Sequence, residues 1–364
     1  MTEGRDIAGF ALPFAAGTLA ASLIPASFTL CMGLSASAAA ILLTILLMMG
    51  KAGLKNREIT GLTIGAAAFM AGITCLAAAS STSVSSIHAP SAIARTSAFL
   101  CERVKDAVAS VPFSESGTSA LITALLTGDR SALPVEITEA FRASGASHIL
   151  ALSGLHLGIV YAIFTRLTSW AGGNPYVKAV RSAAAVSFCL IYTIGTGAGE
   201  SMTRAFLFIL LKEAGSLMHR KTDLKEITMA ALVIQLATDP LSIRSVSFQL
   251  SYAAMAGIAF IHPHLDRFWP DDGRGPVRKI WESASLSISC QLTTGPLAWL
   301  YFRSFPRHFL LTNLIAVPLT GLIIPASILT TALCAADACP DFVIAATERL
   351  VQLLTGALRI IAQM

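Results

Sequence analysis

Apolar runs of membrane-span length follow one another along most of this chain, separated by short polar breaks. Residues 7–30, 35–49 and 59–79 form the first three. After a polar interval come 148–167, 177–196, 201–218, 227–238, 247–261, 280–302, 309–335 and 342–361. About 20 apolar residues of helix cross a hydrocarbon core of about 30 Å. The pattern therefore predicts about eleven transmembrane helices, in a range of roughly 9–12. The run 227–238 is short for a crossing. The run 309–335 contains Pro318 and Pro325, where a helix is expected to break because proline lacks an N–H.

The polar interval has its own periodicity. Ile93, Leu100, Val104, Ala107, Val108 and Val111 share one side of a helix, with Arg95, Glu102, Arg103, Lys105 and Asp106 on the other. Such a helix lies on a membrane surface rather than across it. Residues 118–126 are apolar but too short to span, and Thr127-Gly128-Asp129-Arg130 reads as a turn. Pro134 opens another short amphipathic helix that stops before Gly145. The predicted fold is an all-α polytopic membrane protein with short amphipathic interfacial helices. Three regions are expected: an N-terminal transmembrane region over 1–79, an outside linker with the amphipathic helix over 80–112, and a transmembrane domain over 113–364.

Composition agrees with this picture. The 364 residues are 54% hydrophobic and 13% charged, and the mean hydropathy is +0.69. A soluble domain is about a quarter charged. The net charge of +5 is modest and does not by itself point to nucleic acid. Its distribution is more telling, because basic residues collect in cytoplasmic loops. With the N-terminus inside, those loops hold Lys51, Lys55 and Arg57; Arg166, Lys178 and Arg181; Lys212, Arg220, Lys221 and Lys225; and Arg267, Arg274, Arg278 and Lys279. The outside loops hold Arg244, Arg303 and Arg307. This predicts a multi-pass inner-membrane protein, surrounded by lipid, with a cytoplasmic N-terminus and an outside C-terminus. The seven cysteines are scattered and read as small buried hydrophobes.

The stretch with the most chemistry is 141–160, FRASGASHILALSGLHLGIV. It has span length, yet it carries His148, Ser153 and His156, with Gly145, Gly154 and Gly158 between them. An ionisable side chain at membrane depth is costly and points to a functional site. Ser153 and His156 are three apart on one helix face. They support three readings: a serine nucleophile with a histidine base, helix packing over Gly154 and Gly158 with polar links across it, or the lining of a pore. Glu200 and Arg204 stand in the favourable order for a helical pair. They form either a self-neutralising pair or leave the arginine to meet an anion. His262, His264 and Asp266 resemble half a metal motif, but the next residue is Arg267; the plainer reading is that Pro263 ends a helix there. No metal site is expected. Gln249, Ser251, Gln291 and Asn313 add uncharged polar groups within spans.

Taken in order, these segments resemble a known family. ALLTGDRSALP followed by FRASGASHILALSGLHLGIV is similar to the competence domain of the ComEC family of bacterial DNA-uptake proteins. IYTIGTGAGESMTRAF matches through Gly197, Ser201, Arg204 and Ala205. DPLSIRSVSFQLSYAAMAG matches through Asp239, Pro240, Phe248, Gln249, Leu250 and Ser251. SCQLTTGPLAWLYFRSFPRHFLLTNLIAVPL matches through Gln291, Pro296, Asn313 and Pro318. The resemblance runs from about residue 113 to the end. It implies a channel, not an enzyme, that passes single-stranded DNA across the cytoplasmic membrane during transformation. His148, His156, Arg204, Gln249 and Asn313 would then meet phosphates, and Phe206, Phe208 and Tyr252 would offer faces for bases. A small-molecule permease is the alternative from the residues alone; an intramembrane hydrolase follows from Ser153 and His156. The chain is expected to be a short form, without the OB-type barrel and metallo-β-lactamase-like domain common in the family. Receptor, nuclease and motor would then be separate proteins; no Walker-type loop is present and no cofactor is implied.

Overall fold

The structure is a computed structural model. It describes residues 3–23, 57–81, 91–171, 174–219, 223–269, 275–303 and 307–364. The predicted span 35–49, with Lys51 and Lys55, lies outside the described residues. So do most of the serine-rich linker and Arg220, Lys221 and Arg274.

Every regular element among the described residues is a helix. In chain order the helices are α1 (Glu3–Leu23), α2 (Arg57–Ser81), α3 (Ser91–Ala109), α4 (Ser116–Thr127), α5 (Val135–Ala143), α6 (Ser147–Leu150), α7 (Gly154–Leu167) and α8 (Pro175–Gly195). They continue as α9 (Glu200–Leu217), α10 (Leu224–Thr238), α11 (Val246–Ala256), α12 (His262–Asp266), α13 (Pro276–Phe302), α14 (Phe309–Ala335) and α15 (Asp341–Ala362). A 3₁₀ turn, Pro240–Arg244, precedes α11, and a π turn, Gly257–Ile261, follows it. By length and composition, two of the described helices, α8 and α14, are long and apolar enough to cross a membrane.

Three expectations about continuity need correction. The run 148–167 is two helices, α6 and α7, with an extended break between them. Pro318 and Pro325 do not break α14; lost backbone bonds are tolerated inside a bundle where neighbours re-satisfy the freed groups. Pro263 does not end a helix but stands in the first turn of α12, just after the π turn, where its missing N–H removes no bond.

The chain divides into two compact units. One comprises residues 1–88 and 214–260. Here α1 lies along α2, α10 and the 3₁₀ turn pack against both, and α11 packs on α10 and that turn. The α1–α2 crossing is close because glycines face it: a Cβ on Gly17 would lie 1.9 Å from the Phe69 carbonyl oxygen, and one on Gly72 would lie 2.1 Å from that of Phe14. Arg244 closes the end of α1, its Nη2 donating to the Ser22 carbonyl at 3.1 Å.

The other unit comprises residues 89–213 and 261–364. Its main core joins Leu121, Ile122 and Leu125 of α4 to Phe141 of α5 and Ile149 of α6. Ile323 and Ile324 of α14 and Leu354 and Leu358 of α15 complete it. A smaller cluster joins Leu157 of α7, Cys189 of α8, and Met202 and Ile209 of α9. The start of α4 is held from far along the chain. Its N-cap, Glu115, donates its backbone N–H to Glu348 Oε1 of α15 at 3.0 Å, and Gln352 Nε2 donates to Glu115 Oε1 at 3.2 Å. A carboxylate is favoured there by the partial positive charge of the helix start. Glu348→Ala removes the acceptor of this part-buried bond and should lower stability by about 1 kcal/mol. Glu348→Gln, which keeps an acceptor, should cost less in the same thermal unfolding measurement.

Candidate functional site at the broken helix

The broken segment is built from two turns that meet. The first closes α5. Ala146 N–H donates to the Phe141 carbonyl at 2.7 Å and Gly145 N–H to that of Arg142 at 3.1 Å, with Gly145 at φ +84. This is a Schellman ending, and its usual apolar contact is made by Phe141 and Ala146, both fully buried. Gly145 therefore acts as a turn residue. His148, exposed on α6, points a ring nitrogen at the Gly145 carbonyl at 3.3 Å.

The second turn starts α7. Ser153 is the N-cap, with extended backbone (φ −126, ψ 169). Its backbone N–H donates to His156 Nδ1 at 3.3 Å, and its Oγ lies 3.2 Å from the same nitrogen. His156 takes the place usually held by Glu or Gln in a capping box. A backbone N–H can only donate, so Nδ1 is an acceptor and the ring proton sits on Nε2. Ser153 and His156 thus anchor the start of α7, with His156 only 1% exposed. A Cβ on Gly154 would meet Ala205 of α9 at 3.4 Å, so α7 and α9 approach there. Gly158 has nothing within 4 Å of the same test position.

The Thr127–Arg130 turn supports the break. Gly128 takes φ +81 and donates to the Ala124 carbonyl. The Leu152 side chain lies where a Gly128 side chain would stand, with its Cδ1 2.5 Å from the Cβ position. Arg130 Nε donates to the Leu150 carbonyl at 3.1 Å, satisfying the end of α6. Asp129 accepts the Ser131 N–H at 2.9 Å and pairs with Lys105 Nζ of α3 at 2.5 Å. Lys105 first, and Ser131 after it, hold the Asp129 carboxyl well below the usual carboxylate range. A depressed pKa in the folded state stabilises above the unfolded value of about 4 and is lost as pH falls below it. The pair is solvent-accessible and screened, so the effect is small. Asp129→Asn should slightly lower the unfolding temperature at pH 7 and flatten its fall below about pH 4.

Beside the break, Arg204 of α9 is 2% exposed, whereas Glu200 is half exposed with Oε2 3.8 Å from Arg204 Nη1. The pair predicted from spacing is present, but its members differ sharply in burial. A buried guanidinium with a hydrated counter-charge is suited to exchanging that partner for another anion.

The remaining candidates are spread out. Gln249 Nε2 donates to the Ile243 carbonyl at 2.9 Å and ties the 3₁₀ turn to α11. Ser251 is half-buried beside it in sequence. Tyr252, on the same helix, donates to Gln235 Oε1 of α10 at 3.0 Å and packs on Phe248. Gln291 lines an open apolar groove of about 560 Å³ with Gly295, Pro296, Trp299 and Phe309. Asn313 is half-buried on α14. Asp266 pairs with Arg278 at 2.5 Å. Among the described residues no group of three or more His, Cys, Asp or Glu is placed to hold a metal ion.

Two features went unnoticed in the sequence. Thr312 Oγ1 of α14 donates to the Ser144 carbonyl at 2.7 Å, both residues fully buried, and fixes the turn before α6. Glu213 of α9 accepts from Tyr161 Oη of α7 and Ser182 Oγ of α8, so one carboxylate joins three helices. Lys212 Nζ sits 4.9 Å from the Tyr161 ring centre. Glu213 is the one acid within the run 201–218, and that was the available signal.

These features define an all-helical protein with candidate membrane-crossing helices and a polar, broken helix held beside a buried arginine. The chain belongs to the competence-protein family, whose profile matches residues 125–364. It is 27% identical over 212 residues to ComE operon protein 3 of Bacillus subtilis, covering 57% of this chain and 24% of that protein. It is 28% identical over 207 residues to the competence protein ComA of Neisseria gonorrhoeae, covering 54% of this chain and 28% of ComA. With the uncharacterized protein YcaI of Escherichia coli it shares 24% identity over 212 residues, 56% of this chain and 28% of YcaI. The chain thus matches about a quarter of each relative's length. No solved structure gives a significant match. The family match includes the Gly128 turn, the broken helix, Arg204, Gln249, Gln291 and Asn313.

Proposed function

We propose that this chain is a channel subunit that passes single-stranded DNA across the bacterial cytoplasmic membrane during natural transformation. The observation that carries the reading is the family match over residues 125–364, which contains the Gly128 turn, both halves of the broken helix and Arg204. The buried Arg204 supports it, because a phosphate backbone needs a fixed cation inside an otherwise apolar bundle. The protein lies in the inner membrane as a multi-pass bundle of about eleven spans, the count its apolar runs support. Its N-terminus is cytoplasmic and its C-terminus outside, following the basic loops. His148, Ser153, His156, Gln291 and Asn313 contribute polar groups to the second unit, and Gln249 and Ser251 to the first.

The purified protein in detergent should bind a single-stranded oligonucleotide more tightly than a duplex of equal length, with affinity falling as salt rises. Thermal stabilisation by small solutes but not by oligonucleotides would contradict this and place the chain among permeases.

A further inference from the structure

We propose that Cys334 and Cys339 form a reactive dithiol across the turn between α14 and α15, able to close to a disulfide by exchange with a small-molecule disulfide. The turn builds the pair. Helix α14 ends in a Schellman motif: Ala338 N–H donates to the Leu333 carbonyl and Asp337 N–H to that of Cys334, each at 3.0 Å. Asp337 takes the left-handed position, at φ +51. This reversal folds residue 339 back over the last turn of α14. Cys339 Sγ lies 3.8 Å from the Thr330 carbonyl oxygen, one helical turn before Cys334. Along α14 the Cys334 N–H meets that same Thr330 carbonyl, so both cysteines converge on one point of the turn. Pro340, the N-cap of α15, follows at once and limits how the chain can move away. Both thiols are partly exposed, so a reagent can reach them, whereas Cys189 is buried.

The position gives the bond a consequence. Thr330 Oγ1 and Thr347 Oγ1 are 2.8 Å apart and fully buried, joining α14 to α15 one turn below the dithiol. Next to Thr347 stands Glu348, which holds α4, and one turn on lies the core residue Val351. A covalent link at 334–339 therefore pins the root of the helix pair on which the main core is built.

The chemistry is ordinary exchange. One cysteine thiolate attacks a sulfur of oxidised glutathione, forms a mixed disulfide and expels one glutathione thiolate. The second cysteine attacks the mixed disulfide and expels the other. The protein loses two protons and two electrons, and one glutathione disulfide becomes two glutathione thiols. A trivalent arsenical tests proximity without an oxidant: phenylarsine oxide takes both thiols, forming two As–S bonds and releasing water.

The full chain in detergent is treated with oxidised glutathione, blocked with maleimide, digested and mapped. The expected product is a peptide spanning 334–339 with an internal disulfide, and an unfolding temperature raised relative to the reduced protein. In a parallel sample, phenylarsine oxide should protect Cys334 and Cys339 together from maleimide, reversibly with a competing dithiol. Cys334→Ser should abolish protection of Cys339, and Cys339→Ser that of Cys334. Full maleimide labelling of both cysteines after both treatments of the wild-type chain would overturn the proposal, whatever the variants do.

Discussion

Alanine at Gly17 or Gly72 should unseat α1 from α2, while alanine at Gly65 in the same interface should be tolerated. The added carbon at position 17 or 72 meets backbone at 1.9 or 2.1 Å, and backbone inside a helix cannot turn aside as a side-chain tip can. At Gly65 its nearest neighbour is the Pro13 ring at 3.5 Å, an ordinary contact. Overpacking costs about 1–3 kcal/mol where neighbours can shift. Here they cannot, so the loss should lie at or above about 3 kcal/mol. Alanine otherwise favours a helix over glycine by about 1 kcal/mol, so Gly65→Ala should be neutral or slightly stabilising. Thermal unfolding of the three variants checks this, and equal behaviour at all three positions would contradict the close crossing.

Arg204→Met should separate stability from function. Methionine keeps an unbranched apolar stem like arginine's without its charge. Replacing a buried ion by a packed apolar chain is often neutral or stabilising, and Glu200, half exposed, stays hydrated when its partner goes. Unfolding temperature and protein level should therefore hold. Affinity for single-stranded DNA should fall roughly ten- to a hundredfold, the value of one hydrogen bond to a charged group of about 1.5–3 kcal/mol. Glu200→Gln should move affinity in the opposite direction, because the competing carboxylate is gone. Unchanged DNA affinity in Arg204→Met would remove Arg204 from the path.

What could be read in advance follows from where each interaction lies in the sequence. Helix α14 was legible at both ends, because no charged residue interrupts Phe309 to Ala335, with Arg307 before it and Asp337 after it. Its prolines misled, since a local rule says nothing of how a bundle tolerates missing bonds. The break at 151–153 was hidden by continuous hydropathy across Ile149, Leu150, Leu152, Leu155 and Leu157. Its local sign was Ser153 with a side-chain acceptor three residues on, but the acceptor is histidine rather than Glu or Gln. Spacing showed that Glu200 and Arg204 are neighbours. It could not show which one is buried, because that depends on α7 and α8 as well as α9. The link from Glu348 to Glu115 spans 233 residues and that from Thr312 to Ser144 spans 168. No local pattern carries such pairs.

The most direct test is the fate of labelled DNA in a naturally transformable cell from which this chain has been deleted. Surface-bound label should persist while nuclease-protected label in the cytoplasm falls to the level of a non-competent control. Wild-type protein should restore it, and Arg204→Met protein, present at equal level, should not. Normal entry of DNA into the cytoplasm of the deletion strain would contradict the assignment.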